Sequence, residues 1–523
     1  MNKLDYLFPK IKNNLKQFKK PGVLFVRPGY CCSKGGWLTK EPAIVAVIAA
    51  GKRPPKLPSK IAGIPVDVRS ATPLEQFSYD KPQQYSMLAD HRAEFRGTSL
   101  LPEFDPATGA VVAPIAPKVA AAQQTKIRLQ YASASVPLSP AKGNIPIICH
   151  VSPDAGWSQL QKFIAGTKVQ LKVSMYDFTS KHVLELFESK LAGLPIQLTL
   201  DDPPRNPSAD QADPQTVQDL KSKFANRFSS AWALVRSSPE ADTWIFPTAY
   251  HIKVMVRDSD TVWLSSGNLN NSNQPQIDPI GNPQASDQNI ANHSDRDWHV
   301  IIQSAALAKT LEAYLDNDFQ TATLHAANLS PTLKPPKNPI APPTTIGNFQ
   351  FAAPLPITEP VTLTPLLTPD PGVYQQAMLD RIQSVTQSLY IQLQYIHPSS
   401  DPANAKFTDL IDVVAAKINA GLDVKIILSE FQTEKGGLDA LQAAGINLDN
   451  VKIQNNVHNK GFVFDHNIVV VSSMNWSGEG VLSNRDAGVI IENATAARYY
   501  EKVFLDDWAH HSEQKMVAAP PKE

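Results

Sequence analysis

Two stretches of the 523-residue chain share one pattern: HIKVMVRDSDTVWLSSGN at 251–268 and HNKGFVFDHNIVVVSSMN at 458–475. His251, Lys253, Asp258, Ser266 and Asn268 fall in register with His458, Lys460, Asp465, Ser473 and Asn475. Each stretch reads as a β-hairpin. HIKVMV and HNKGFVF are apolar, β-rich runs, and on a strand residues i and i+2 share a face, so each His projects with its Lys. Asp258-Ser259-Asp260 and Asp465-His466-Asn467 are turn formers. TVWLSS and IVVVSS then return antiparallel, which is expected to bring Ser266 beside His251 and Ser473 beside His458.

Each hairpin thus gathers an imidazole, an ammonium, a hydroxyl and a carboxamide at one end. Doubled, the set suits a phosphodiester: fixed donors neutralise the non-bridging oxygens, and one imidazole stands on each side of phosphorus. One His-x-Lys alone would carry no weight. Five positions repeated at identical spacing do.

The repeat extends outward from the hairpins. IICHVSPDAGWSQLQKFIAGTKVQLKVSMYDF at 147–178 resembles LTPLLTPDPGVYQQAMLDRIQSVTQSLYIQLQYI at 363–396, with Ser152-Pro153-Asp154 against Thr368-Pro369-Asp370. Both copies continue through a helical pattern to a strand carrying Tyr176 or Tyr395. A second helix and strand follow, with Gly193 and Gly421 placed where a helix stops. This alternation predicts an α/β fold: two similar α/β sandwich lobes at 146–330 and 366–515, related by pseudo-twofold symmetry, with the two His segments meeting between them. The proline-dense stretch 331–365 reads as a stiff connector. Residues 1–110 read as a small β-containing N-terminal domain with strands in VLFVRPGY, AIVAVIAA and IPVDVRSA. Residues 111–145 read as a linker and 516–523 as a tail. Leu4, Leu7, Ile11, Leu15 and Phe18 mark an amphipathic helix lying on that domain, with attachment to an anionic membrane surface as the alternative.

The doubled H-x-K-x4-D-x6-(G/S)-S-x-N pattern resembles the phospholipase D superfamily over residues 146–515. It departs at Ser265 and Ser472, where the family commonly has Gly. The resemblance implies a two-step mechanism with no metal and no cofactor. His251 is the expected nucleophile, forming a phosphohistidine, and His458 the general acid and base. Lys253, Lys460, Asn268 and Asn475 are expected to hold the phosphate, with Ser266 and Ser473 as supporting hydrogen-bonders. The family also places a carboxylate downstream to hold each imidazole. Asp486 fits in the second copy and is paired with His458. In the first copy the matching string SDRDWHVII offers Asp297 for His251, preferred over Asp287. The extra length of the first copy falls in a polar insertion at about 271–294, a candidate gate or a passive loop. Asp258 and Asp465 read as turn-fixing. Tyr176 and Asp177 stand at a strand end near the cleft or as ordinary core residues, and Trp476 faces the substrate or packs inside. His299, His397 and His466 fit no metal-ligand spacing.

Bulk composition narrows the substrate only a little. Lys and Arg number 49 and Asp and Glu 49, a balance that weighs against a dedicated nucleic-acid binder. Three cysteines, two of them adjacent, make no disulfide framework. No apolar run is long enough to span a membrane and no signal peptide is read, so a cytoplasmic location is expected. The resemblance then implies a phosphodiesterase acting on phospholipid head groups by hydrolysis or transfer to an alcohol, with peripheral membrane contact and a site complete in a monomer. A nuclease of the same chemistry is the alternative. A cardiolipin-synthase-like transferase is disfavoured for want of a membrane span.

Overall fold

In both halves the central strands are near-continuous runs of Val, Ile and Leu, the composition of strands covered on both faces. The computed structural model describes residues 3–91, 93–95, 100–112, 132–201, 210–233, 249–324, 340, 343–370 and 373–514. Each half forms an eight-stranded sheet. In the first lobe the spatial order is Phe228–Trp232, Ile196–Leu200, Leu171–Met175, Lys253–Arg257, Thr261–Ser265, Asp297–Gln303, Ile147–Ser152 and Leu355–Ile357. In the second it is Val451–Ile453, Asp423–Leu428, Ser388–Leu393, Lys460–Phe464, Ile468–Ser472, Asp486–Glu492, Val361–Thr368 and Ala141–Gly143. The predicted pair of α/β lobes is therefore present.

The edge strands are exchanged. Leu355–Ile357, just ahead of the second lobe in sequence, completes the first lobe's sheet against Ile147–Cys149. Ala141–Gly143, just ahead of the first lobe, completes the second lobe's sheet against Val361–Leu363. The stretch read as a connector thus supplies sheet edges, and the strand Val361–Thr368 begins ahead of the boundary expected at 366.

One face of each sheet packs on its own helices. Leu160, Phe163, Val183 and Phe187 do so in the first lobe, and Met378, Ile382, Leu410 and Val414 in the second. The opposite faces share one core between the lobes, built from Val254, Trp298 and Val300 on one side and Val463, Val471 and Val489 on the other. Gly461 belongs to this contact: a Cβ there would collide with the Trp298 ring, so only glycine lets that indole lie across the second sheet.

Two buried arginines lock the lobes. Arg296 donates through Nε and Nη2 to Asp507 of the second lobe at 2.9 and 3.0 Å, and through Nη1 to Asp154 at 2.5 Å. Arg485 donates through Nε and Nη2 to Asp318 of the first lobe at 2.8 and 2.7 Å, and through Nη1 to Asp370 at 2.7 Å. The two clamps are reciprocal, and each adds a backbone carbonyl, Ser152 or Thr368, at 3.0 Å. The fork of a guanidinium matches a carboxylate with two parallel bonds, which fixes angle as well as distance.

The N-terminal domain is a six-stranded sheet with helices Pro73–Asp80 and Pro82–His91. It docks on the second lobe through Asp439. That carboxylate accepts from Arg27 at 3.0 Å, from Arg69 at 2.8 Å and from the Tyr30 backbone N–H at 3.0 Å. Among the described residues no helix is long and apolar enough to cross a membrane.

Replacing Arg485 by Met leaves Asp318 and Asp370 buried without their cation. The expected cost is about 3–5 kcal/mol, the usual consequence of removing one partner of a buried pair. Denaturant unfolding of the variant measures it, and a loss under about 1 kcal/mol would show that the clamps do not hold the lobes together.

Candidate active site

The two hairpins are closed by tight turns. Asp258 and Ser259 have φ of 54° and 56°, and Asp465 and His466 have φ of 46° and 61°. Two successive positive φ values match the right-handed twist of the strands, and Asp tolerates them better than most residues. Both carboxylates serve the fold. Asp258 accepts backbone N–H bonds from Lys168, Val169 and Gln170 at 2.7 to 3.2 Å. Asp465 accepts from Thr386, Gln387 and Ser388 at 2.8 to 2.9 Å.

The hairpin register differs by one residue from expectation. Val254 pairs with Leu264 and Gly461 with Val471, which sets Gly267 rather than Ser266 across from His251, and Met474 rather than Ser473 across from His458. The serines turn instead to carboxylates. Ser266 Oγ donates to Asp297 Oδ1 at 2.7 Å, and Ser473 Oγ to Asp486 Oδ1 at 2.5 Å. A second slip concerns the neighbouring strand. Lys253 pairs with Met175 and Lys460 with Leu393, so Tyr176 corresponds to Gln394 and not to Tyr395.

The imidazoles find their carboxylates in the opposite lobe. His251 Nδ1 donates to Asp486 Oδ1 at 2.8 Å, and His458 Nδ1 donates to Asp297 Oδ1 at 3.1 Å. The pairing within each copy, His251 with Asp297 and His458 with Asp486, is thereby corrected. The reason is the lobe contact. The Arg296 backbone N–H donates to Asn456 O at 2.7 Å and the His458 N–H to Arg296 O at 3.1 Å, which threads the segment before Asp297 beside His458. The Arg485 N–H donates to Ala249 O at 2.9 Å and draws Asp486 to His251 in the same way. With Nδ1–H fixed on a carboxylate, a neutral imidazole carries its free lone pair on Nε2.

The two carboxylates are not equally held. Asp297 Oδ2 also accepts from Asn273 Nδ2 at 2.8 Å. Asn273 belongs to the insertion near 271–294, which is pinned to the rest of the molecule through bonds such as His182 Nε2 to Gln274 O at 2.8 Å and the Thr345 N–H to Asn292 O at 2.7 Å. Asp486 Oδ2 is buried and has no hydrogen-bond partner among the described residues.

Lys253 and Lys460 are buried, and each donates back to the carbonyl of its own histidine, Lys253 to His251 O at 2.5 Å and Lys460 to His458 O. Asn268 and Asn475 are 5% and 4% exposed, and their Oδ1 atoms have no hydrogen-bond partner among the described residues. Tyr176 sets its ring edge against His251 with centroids 4.9 Å apart, and Lys253 Nζ lies 5.1 Å over the same ring. Tyr176 therefore reaches the site. Asp177 is buried beside it and accepts from Asn270 Nδ2 at 3.0 Å. Trp476 does not reach the cleft: it is fully buried against Phe462 and donates to Tyr374 Oη at 3.0 Å. His299 is a core residue held by Ser152 and Ser265, His397 stacks on Tyr395, and His466 bonds Glu501 outside the site.

Burial and crowded positive charge govern the proton affinities. Burial first, then Lys253, lowers the His251 pKa to about 4. Burial and Lys460 lower that of His458 to about 3. Lys460 itself falls to about 8, chiefly by burial, and Lys253 falls well below its ordinary value for the same reason. Burial alone would raise Asp297, but His458 and Lys460 outweigh it and hold that carboxyl well below its usual range. Each histidine is influenced by the lysine of the other lobe as well as its own, so the groups form one site.

Arg296, Arg485 and Asn273 were missed as site-building residues. A signal for the arginines exists: Arg-Asp recurs at 296–297 and 485–486, and the aspartates they bind recur as Ser-Pro-Asp and Thr-Pro-Asp. Asn273 has no such counterpart.

The family model described as cardiolipin synthase, PLD-like domain, matches residues 378–508, which contain His458, Lys460, Asn475 and Asp486. Over those residues the chain is similar to the phospholipase D superfamily. Members of that superfamily act on phosphodiester bonds. No curated protein matches the sequence. Among solved structures the chain is similar to the phosphatidylserine synthase of Haemophilus influenzae Rd KW20, at 16% identity and a TM-score of 0.48, over 73% of this chain and 91% of that one. It is also similar to Nuc of Salmonella typhimurium, a phospholipase D family member, at 20% identity and a TM-score of 0.25, over 30% and 99%. NucT of Helicobacter pylori matches at 12% identity and a TM-score of 0.25, over 35% and 98%.

An anion entering this site stabilises the charged forms of groups whose pKa values are depressed in its absence. Binding of a singly charged phosphonate monoester is expected to take up protons at pH 7 and to weaken as pH rises, by up to about tenfold per pH unit for one proton. Calorimetry in two buffers of different ionisation enthalpy measures the uptake. Binding without proton uptake would contradict the depressed values.

Proposed function

We propose that the protein is a phosphodiesterase that cleaves phospholipid head groups through a phosphohistidine on His251. The crossed His–Asp pairs flanked by two buried lysines carry this reading. In the first step His251 Nε2 attacks phosphorus, the bond to the leaving oxygen breaks, and His458 gives that oxygen a proton. In the second step water or an alcohol loses its proton to His458 and attacks phosphorus, and the bond to His251 breaks. Lys253, Lys460, Asn268 and Asn475 hold the non-bridging oxygens.

The assignment of roles rests on the unequal carboxylates. Phosphoryl transfer to His251 places positive charge on its ring. Asp486, with few competing donors, keeps its charge available to stabilise that ring. Each carboxylate accepts from a serine, Asp297 from Ser266 and Asp486 from Ser473, but Asp297 also shares its charge with Asn273, which suits a group that must release a proton as well as take one. In the empty site both imidazoles are neutral at pH 7, so the proton that His458 donates is acquired as the phosphate binds.

Lipid is preferred over nucleic acid for a local electrostatic reason. Beyond Asp297 and Asp486, the carboxylates of Asp295 and Glu94 also raise the proton affinity of Lys460. Negative charge at this side of the site opposes a strand with a phosphate at every nucleotide. It suits a single phosphodiester whose head group carries a compensating cation.

Assay of phosphatidylcholine vesicles beside single- and double-stranded DNA, with chelator present, tests the reading. Choline release unaffected by chelator is expected, with turnover abolished in both His251→Ala and His458→Ala. DNA cleavage without lipid turnover would replace the substrate class. Substantial activity in either histidine variant would overturn the two-histidine scheme.

A second test separates the histidines. Quench into alkaline denaturant, in which a phosphoramidate survives, is expected to trap a phosphoryl adduct on His251, and more of it in His458→Ala with a good leaving group. Trapping on His458 instead would reverse the roles.

A further inference from the structure

The neutral total charge conceals a division. Residues 1–72 contain 14 Lys and Arg and 3 Asp and Glu, a formal +11, so the rest of the chain is a formal −11. Two of those cations, Arg27 and Arg69, are buried against Asp439 and belong to the docking of the domain. Nearly all the others lie on the surface.

Their placement is set by the amphipathic helix. Leu7, Ile11, Leu15 and Phe18 are buried on the N-terminal sheet, so the apolar face has a protein partner and does not insert into lipid. The opposite face presents Lys12, Lys16, Lys19 and Lys20 to solvent. The loop at 49–60 starts beside the chain that leaves the helix. Its Ala49 N–H donates to Gly22 O at 2.8 Å, and Leu57 and Ile61 join the same core as the helix. It adds Lys52, Arg53, Lys56 and Lys60, all exposed. Of the three acidic residues in 1–72, Asp67 is held by Arg69, which leaves Asp5 and Glu41.

We propose that this lysine face docks the protein on an anionic lipid surface. Lysine dominates the patch, and its ammonium is a hydrated point charge suited to diffuse attraction. Single-stranded nucleic acid asks for aromatic platforms among the cations. Here the loop contains no aromatic residue and Phe18 of the helix is fully buried, while Tyr6 at the start of the helix is exposed with Lys10 Nζ 5.4 Å over its ring. A polybasic helix with its apolar side already covered binds by charge alone, each lysine contributing about fivefold in partitioning at low salt. The inference rests on a different domain from the catalytic site and stands whether or not the substrate is a phospholipid.

Co-sedimentation of the full chain, carrying His251→Ala so that no turnover alters the vesicles, is the test. Vesicles of phosphatidylcholine with phosphatidylglycerol are compared with phosphatidylcholine alone. Binding to the anionic vesicles only is expected, with release at about 0.5 M salt. Neutralising Lys16, Lys19, Lys20, Lys52, Arg53 and Lys56 to Gln is expected to cost more than tenfold in partitioning with an unchanged melting temperature, since all six are exposed. Equal binding to neutral vesicles, or undiminished binding by the neutralised variant, would overturn the proposal. Tighter binding to duplex DNA than to the anionic vesicles at equal salt would also overturn it, and would assign the face to nucleic acid.

Discussion

Each imidazole hydrogen-bonds a carboxylate that belongs to the other lobe, and this crossing makes the lobe interface and the candidate site one structure. The residue before each carboxylate is an arginine that also binds across the interface, Arg296 to Asp507 and Arg485 to Asp318. Consecutive residues therefore fix lobe position and imidazole orientation together. A small rotation of one lobe would lengthen both His–Asp bonds and both clamps at once. The exchanged edge strands at Leu355–Ile357 and Ala141–Gly143 resist that rotation from the outer edge of each sheet. One lobe alone holds an imidazole without its acceptor and a carboxylate without its imidazole.

Burial gives the site its electrostatic character. Two lysines and two histidines drawn into a poorly hydrated space repel one another, and the empty site sheds protons in response. A phosphodiester reverses this by supplying the missing negative charge. In the proposed scheme recognition and activation are coupled: the anion that needs an acid catalyst is the one that allows an imidazole to take up a proton. The same coupling discriminates against neutral ligands of similar shape, which would leave the cations unneutralised.

Much of this was legible in the sequence because a hairpin is local. Alternation on the strand put His251 with Lys253 and His458 with Lys460, and the turn aspartates announced themselves by type. The repeated helices and strands gave the two α/β lobes. The crossing was not legible, because spacing within a copy is unchanged whichever lobe accepts the proton. Only the packing of Trp298 over Gly461, and the carbonyl contacts of Arg296 and Arg485, decide it. The serines were misplaced for a smaller reason. A three-residue connection between Arg257 and Thr261 shifts the return strand by one position, and a shift of one reverses the face to which a side chain points. Tyr176 and Tyr395 were equated by spelling, whereas the ladder with the neighbouring strand sets Tyr176 against Gln394.

The same duplication explains why its departures carry information. Two copies that differ nowhere would give two imidazoles of equal proton affinity, and a nucleophile and an acid catalyst cannot be interchangeable within one turnover. The copies differ around the carboxylates. The first lobe's insertion places Asn273 on Asp297, while Asp486 Oδ2 has no such donor among the described residues. They differ again beside the rings, where Tyr176 lies against His251 and Gln394 holds the corresponding position near His458. An aromatic edge beside one imidazole and an extra donor on the other's carboxylate give the two rings different surroundings. In the proposed scheme the insertion is therefore more than an addition to the surface: it breaks the equivalence that duplication had left.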